Sequence, residues 1–154
     1  MRPRRVVAAL AIAALAPSVA LADPSPETVE QLRQAPATAT PSTEYQRGVR
    51  ARVLKDWPAA EAAFRQAIVQ RPDFADAWNE LGYALRHQRR YGESVNAYLE
   101  ALRLRPNFPE ALEYLGEAYV EMGRLDDARR VLGRLRAVDT ARADELAEAI
   151  DKAK

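Results

Sequence analysis

The chain has 154 residues, a formal net charge of +1, a single histidine and no cysteine. This length accommodates one domain with a core, and the lack of cysteine excludes disulfides, a thiolate metal site and a lipid-modified N-terminal cysteine. A near-neutral charge without a basic tract gives no support for nucleic-acid binding, which needs clustered Lys and Arg to neutralise phosphates.

Residues 1–22 have the pattern of a secretory signal peptide. Three arginines in residues 1–5 precede an apolar run over 6–16, and residues 20–22 read Ala-Leu-Ala, which signal peptidase accepts. We therefore expect cleavage after Ala22 and a periplasmic or secreted location. An uncleaved anchor is the alternative, but the apolar run is shorter than the about 20 residues that span a bilayer, so we expect no stable membrane insertion after cleavage. Removing three of the 23 basic residues leaves 20 against 22 acidic residues, a net charge of −2.

Residues 23–41 are rich in Pro, Ala and Thr, and we predict that they form a linker. Prolines at four places prevent a long helix: Pro24, Pro26, Pro36 and Pro41. Residues 27–34 have the apolar spacing for two helical turns, but isolated helices this short are marginal.

From residue 42 onward, one pattern recurs every 34 residues. Three sets of residues keep this spacing: Gly48, Gly82 and Gly116; Ala60, Ser94 and Ala128; and Phe64, Tyr98 and Leu132. A period of this length indicates a stack of helix pairs. We predict units over 41–74, 75–108 and 109–140, with a capping helix over 141–152, in a domain that spans 42–154.

Each predicted unit divides into two helices at a short turn. Asp56 is suited to cap the second helix of the first unit, and Pro58 is suited to its first turn. In the third unit, Gly123 is expected to take the left-handed conformation that ends a helix. Pro72 and Pro106 are expected to separate one unit from the next.

These features resemble the tetratricopeptide repeat, a helix-turn-helix unit with large and small residues at set places. The second unit matches best, through Trp78, Leu81, Gly82, Tyr98, Ala101 and Pro106. The first unit departs most, because Glu44 and Arg47 stand at the Trp and Leu places. The resemblance extends from Pro41 to about Thr140. It implies an all-α fold, an α-solenoid of three units in a right-handed superhelix with a C-terminal capping helix.

The resemblance also implies a protein-interaction module whose first helices line a concave groove. The places that project into this groove carry Tyr45, Arg52, Asn79, Tyr83, Arg86, Glu110, Glu113, Glu117 and Glu121. We expect Asn79 to hydrogen-bond an extended backbone, and Tyr45 and Tyr83 to give flat apolar contacts. The family's clamp for acidic C-terminal tails is not expected, because Tyr45, Val49, Glu110 and Tyr114 replace its Lys, Asn and Arg.

The four glutamates of the third unit lie on one helix face, because they are spaced by three, four and four residues. Like charges on adjacent turns are mildly unfavourable. We therefore expect a protein or peptide partner with a basic segment. The alternative is a solvated acidic face that is partly offset by Arg86 of the neighbouring unit.

No combination of residues indicates catalysis. His87 has no second ligand for a metal, and the glycines do not form a phosphate-binding loop. We expect no enzymatic activity, no metal and no cofactor. The function we expect is a binding scaffold of the bacterial cell envelope. The alternative is a structural or self-associating envelope subunit, in which Trp57 and nearby apolar residues of the atypical first unit would complete a partner's stack.

Overall fold

The computed structural model describes residues 44–153, which form seven α-helices and no strand. In chain order these are α1 (Glu44–Val53), α2 (Trp57–Gln70), α3 (Ala75–His87), α4 (Tyr91–Leu104), α5 (Pro109–Glu121), α6 (Leu125–Arg136) and α7 (Thr140–Lys152). The prediction of an all-α solenoid with three helix pairs and a C-terminal helix is confirmed. The predicted signal peptide and linker lie outside the described residues.

Two kinds of contact stack the helices. Each helix packs against the next one along the chain, and the first helix of each pair also packs against the first helix of the next pair: α1 on α3, α3 on α5, and α5 on α7. The first helices therefore form one continuous layer. Within residues 44–153, no helix combines the length and the hydrophobicity needed to cross a bilayer.

The core consists of two apolar clusters that meet at Trp78. Phe64 and Tyr98 are fully buried, one in each cluster. Trp78 is half-buried and packs against both clusters, and its indole Nε1 donates a 2.9 Å hydrogen bond to the carbonyl of Pro72. As expected from the sequence, these three large side chains fill the space between helix pairs.

The glycines that mark the repeat allow the helices to approach closely. A Cβ atom on Gly48 would lie 2.5 Å from the Phe64 ring, and one on Gly82 would lie 2.6 Å from the Tyr98 ring. The third unit differs, because Gly116 faces Leu146 of α7. The capping helix therefore supplies the side chain that fills this place.

The turn inside each pair contains one residue in the left-handed region. Gly123 has a φ of 70°, as predicted, and Lys55 and Arg89 have φ values of 58° and 60° at the equivalent places of the other units. Asp56 caps α2 as predicted, because its side chain accepts a hydrogen bond from the backbone N–H of Ala59.

Helix α7 covers the end of the third unit. Its N-cap, Asp139, accepts a hydrogen bond from the backbone N–H of Arg142. Ala143, Leu146 and Ile150 are buried on one face. The helix therefore covers apolar surface that the third pair would otherwise expose to water.

Candidate functional site

The first helices contact one another through a surface of charged and aromatic side chains. We call this surface the groove face. It consists of Arg52, Glu80, Tyr83, Arg86, Glu110, Glu113, Tyr114, Glu117, Glu121 and Arg142. It includes seven of the nine predicted groove residues, and it adds Glu80, Tyr114 and Arg142.

Between α1 and α3, Arg52 forms an ion pair with Glu80 at 3.1 Å. The Arg52 guanidinium also lies 5.5 Å from the centre of the Tyr83 ring. Burial raises the pKa of Glu80, and nearby Asp76 raises it further, although Arg52 opposes the change. The pair thus links two helices at the cost of removing a carboxylate from water.

Between α3 and α5, Arg86 interacts with two glutamates. It donates a 2.9 Å hydrogen bond to Glu121, and its Nη1 lies 2.7 Å from Glu117 Oε2. The guanidinium is also 5.7 Å from the ring centres of both Tyr83 and Tyr114. Burial opposes the charge of Arg86, but Glu117 and Glu121, together with the nearby Tyr98 and Tyr83, outweigh burial and raise its pKa. Arg86 therefore holds together the centre of the groove face.

Between α5 and α7, Arg142 pairs with the other two glutamates. It donates a short hydrogen bond to Glu113 and a 3.1 Å hydrogen bond to Glu110. Glu113 is only 6% exposed, and burial raises its pKa against the opposing effect of Arg142. Arg142 was missed in the sequence because α7 lies beyond the 34-residue register.

These ion pairs correct one expectation. The glutamates of α5 are not a row of unrelieved charge, because Arg86 and Arg142 compensate them within the molecule. They are not a uniformly solvated face either, since Glu113 is buried. The partial offset by Arg86 that the alternative hypothesis predicted is confirmed, and the ion pairs relieve part of the repulsion along α5 within the molecule. A basic partner stays a prediction.

The two arginines nevertheless do not neutralise all the negative charge of α5. Four carboxylates of α5 face two guanidinium groups, which leaves two negative charges in excess. The side chains of Glu110 and Glu121, at the two ends of the row, are each 39% exposed. The excess charge is therefore accessible at both ends of α5.

The other two predicted groove residues lie apart from the ion pairs. Asn79 is on α3, one turn before Tyr83. It is 3% exposed, and its side-chain Oδ1 has no hydrogen-bond partner among the described residues. Tyr45 is half-buried, and its ring packs 5.7 Å from Phe64 and 4.7 Å from Phe74. Tyr45 therefore contributes to the core as well as to the surface of α1.

Trp57 does not stand free at the end of the stack. Its ring is stacked on His87 of α3, with 4.2 Å between ring centres and 9° between planes. The contact ties Trp57 to the second unit but leaves it half-buried, and the self-association hypothesis stays a prediction. Between residues 44 and 153, no three His, Cys, Asp or Glu side chains are grouped as metal ligands.

Two related proteins share part of this sequence. The chain is 40% identical over 65 residues to a peroxisomal targeting signal receptor of Candida albicans, covering 42% of this chain and 11% of the receptor. It is 37% identical over 89 residues to a TPR repeat-containing protein of Pseudomonas aeruginosa, covering 57% of this chain and 15% of that protein. The chain thus spans only a small part of either relative.

A solved structure shows the same fold. The TPR2B domain of yeast Sti1, in its complex with pHsp70, has a TM-score of 0.68 at 19% identity and covers 82% of this chain and 98% of that chain. Two family models described as Tetratricopeptide repeat match residues 45–109 and 85–152, which together make up more than half of the sequence. The chain therefore belongs to the tetratricopeptide repeat family.

Proposed function

We propose that this chain is a non-catalytic interaction module of the bacterial cell envelope. In this proposal its groove face binds an extended segment of a protein or peptide that carries basic residues. Family membership supports the general role, because the similar domain of yeast Sti1 is in complex with a protein partner and another relative is named as a receptor of a targeting signal.

The accessible charge excess on α5 is the observation that carries the proposal. Glu110 and Glu121 are eleven residues apart on one helix, which corresponds to about 16 Å. An extended chain covers that distance in about five residues. A partner with two basic residues at this spacing places one of them beside Glu110 and the other beside Glu121.

The ion pairs of the groove face support binding in a second way. Arg86 and Arg142 fix the positions of the α5 carboxylates before a partner arrives. A preformed surface has little side-chain entropy to lose on binding, so a modest number of contacts gives useful affinity. Asn79 adds a buried amide oxygen that lacks a donor. A backbone N–H of the partner is a donor of the right chemistry.

The envelope location rests on the sequence of residues 1–22. Its basic start, apolar run and Ala-Leu-Ala ending are those of an exported protein. Mass spectrometry of the protein recovered from the periplasm of an expressing bacterium tests this point. We expect a chain that begins at Asp23, whereas an intact N-terminus in the cytoplasmic fraction would contradict export.

Selection from a displayed library of random 12-residue peptides tests the binding specificity. We expect the retained peptides to be enriched in Lys and Arg, with two basic residues about five positions apart. The same selection on a Glu110→Gln, Glu121→Gln variant should lose this enrichment. Retained peptides without basic residues, or the same basic peptides on both proteins, would contradict the proposed specificity.

A further inference from the structure

A pocket of about 300 Å³ opens between α2 and α4, on the side of the solenoid that the second helices form. Its floor is apolar and consists of Trp78, Leu81 and Leu85 of α3 and Ala97 of α4. Trp78 is half-buried, whereas Leu112, at the equivalent place of the third unit, is only 1% exposed. The second unit therefore leaves part of a large aromatic side chain accessible. We call this opening the Trp78 pocket.

An exposed valine lies beside the Trp78 pocket. Val69 of α2 is 72% exposed, the highest value for a large hydrophobic residue within residues 44–153. It follows Arg65, which lines the pocket, by four residues and so lies on the same face of α2. The indole of Trp78 is bonded to Pro72, just after α2, so Val69 is at the Trp78 end of the pocket.

The repeat does not require an apolar side chain at this place. The equivalent residues of the other units are Arg103 and Ala137. Valine has a lower helix propensity than either, and an exposed valine contributes no burial to its own chain. A protruding side chain next to a pocket on one face is self-complementary, because a two-fold axis brings the Val69 of each copy to the pocket of the other.

The charges around the Trp78 pocket suit a second copy better than a strongly charged partner. Glu93 and Glu100 line the pocket, and both have arginine partners within the molecule. Glu93 pairs with Arg90 at 2.6 Å and with Arg65 at 3.5 Å, and Glu100 pairs with Arg103 at 2.8 Å. The rim therefore carries both signs of charge side by side, as a surface that meets its own copy requires.

We propose that two copies of this chain associate through this face, with Val69 of each copy in the Trp78 pocket of the other. Helices α2 and α4 are equivalent in successive units and therefore run in the same direction. A two-fold axis parallel to them places α2 of one copy across from α4 of the other at the same level. Because Glu100 is equivalent to Gln66, Arg65 then lies level with Glu100 of the second copy.

The size of the face predicts a weak dimer. Helices α2 and α4 have 14 residues each and are therefore about 21 Å long. Neighbouring helices pack about 10 Å apart, so the two together are about 20 Å wide and offer about 400 Å² on each copy. A stable interface buries about 800 Å² on each partner. We therefore expect a reversible dimer that forms only at high protein concentration.

The inference goes beyond the proposed function. The dimer uses the second helices and leaves the groove face, on the first helices, open to a partner. Peptide selection by Glu110 and Glu121 therefore does not depend on it, and failure of either idea can be recognised separately. The dimer also gives the self-association hypothesis a surface different from Trp57.

Sedimentation equilibrium of the full-length chain over a series of concentrations tests the inference. We expect the wild-type mass to rise towards that of a dimer, and Val69→Asp to weaken association at least about tenfold, because the dimer would bury an unpaired charge. Val138→Asp is the matched control, since Val138 is also exposed but follows α6, and it should change association less than about twofold. Circular dichroism checks that both variants are folded. A monomer at every concentration, or equal association of both variants, overturns the inference.

Exchanging charges between two chains tests the arrangement of the copies. The side chains of Arg65 and Glu100 are 46% and 42% exposed, so both can be changed without altering the core. We expect Arg65→Glu alone and Glu100→Arg alone to associate less than the wild-type chain, because each would place like charges opposite each other. An equimolar mixture of the two variants restores opposite charges at both contacts and should associate more strongly than either alone. A mixture no stronger than its components overturns the proposed arrangement.

Discussion

Substituting Gly82 by Ala tests the close helix approach on which the repeat depends. The added Cβ would lie 2.6 Å from Cε1 of Tyr98, whose side chain is 0% exposed and has no open space to enter. Overpacking of this kind costs about 1 to 3 kcal/mol. The higher helix propensity of Ala offsets about 1 kcal/mol of this cost. We expect a net loss of about 1 kcal/mol in the free energy of unfolding.

Gly133→Ala in α6 is the matched control. Apart from its chain neighbours and the backbone of its own helix, no atom lies within 4 Å of a Cβ at that position. Only the helix propensity changes, and we expect a gain of about 1 kcal/mol. Urea denaturation followed by far-ultraviolet circular dichroism measures both changes, provided that the slope stays the same. Replacing glycine by alanine should therefore lower the free energy of unfolding at Gly82 and raise it at Gly133. Stabilisation at both positions would refute the close contact between Gly82 and Tyr98.

Substitutions at three further residues probe other parts of the fold. Arg89→Gly should raise the free energy of unfolding by about 1 kcal/mol, because a φ of 60° strains a residue with a Cβ; an unchanged urea midpoint would contradict this. Trp78→Ala should cost about 3 kcal/mol and Trp78→Phe about 1 kcal/mol in the same assay, since Phe keeps the ring but loses the hydrogen bond. Burial raises the pKa of Glu80, Glu113 and Glu117 above the unfolded value of 4.5. The folded state therefore binds these protons more tightly than the unfolded state does, and the contribution of the three glutamates to stability should rise as pH falls from neutral towards 4.5. His87, whose pKa is lowered by burial and nearby positive charge, contributes with the opposite sign. Glu113→Gln should reduce this rise, and an identical pH profile would show that Glu113 does not contribute.

The repeat explains why most of the fold could be predicted. A constant spacing of small and large residues identifies which positions face each other in every unit, and Gly48 and Gly82 contact Phe64 and Tyr98 accordingly. The left-handed residues show a limit of the same reasoning. The sequence identified Gly123 as a left-handed residue because glycine favours that conformation. It did not identify Arg89 at the equivalent place, because the position in the repeat, and not the residue type, requires a positive φ there.

The groove face was harder to predict because its contacts join residues of different units. The repeat register places the predicted groove residues on the first helices, but the partners of their charges depend on the distance between helices. Arg142 compensates Glu113 from a helix outside the repeat, so no periodic signal indicated it. The stacking of Trp57 on His87 likewise joins two units, and because His87 is the single histidine of the chain, no repeated pair of residues indicated this contact.

The affinity of a selected basic peptide tests the central claim, that the charge excess on α5 binds the partner. Isothermal titration would compare the wild-type chain with a Glu110→Lys, Glu121→Lys variant and with a Glu100→Lys, Asp126→Lys control. The control makes the same change of charge on exposed carboxylates of α4 and α6. We predict at least tenfold weaker binding for the first variant, about 1.4 kcal/mol, and a change below about twofold for the control. Equal affinities in all three proteins, or equal losses in both variants, would contradict the claim.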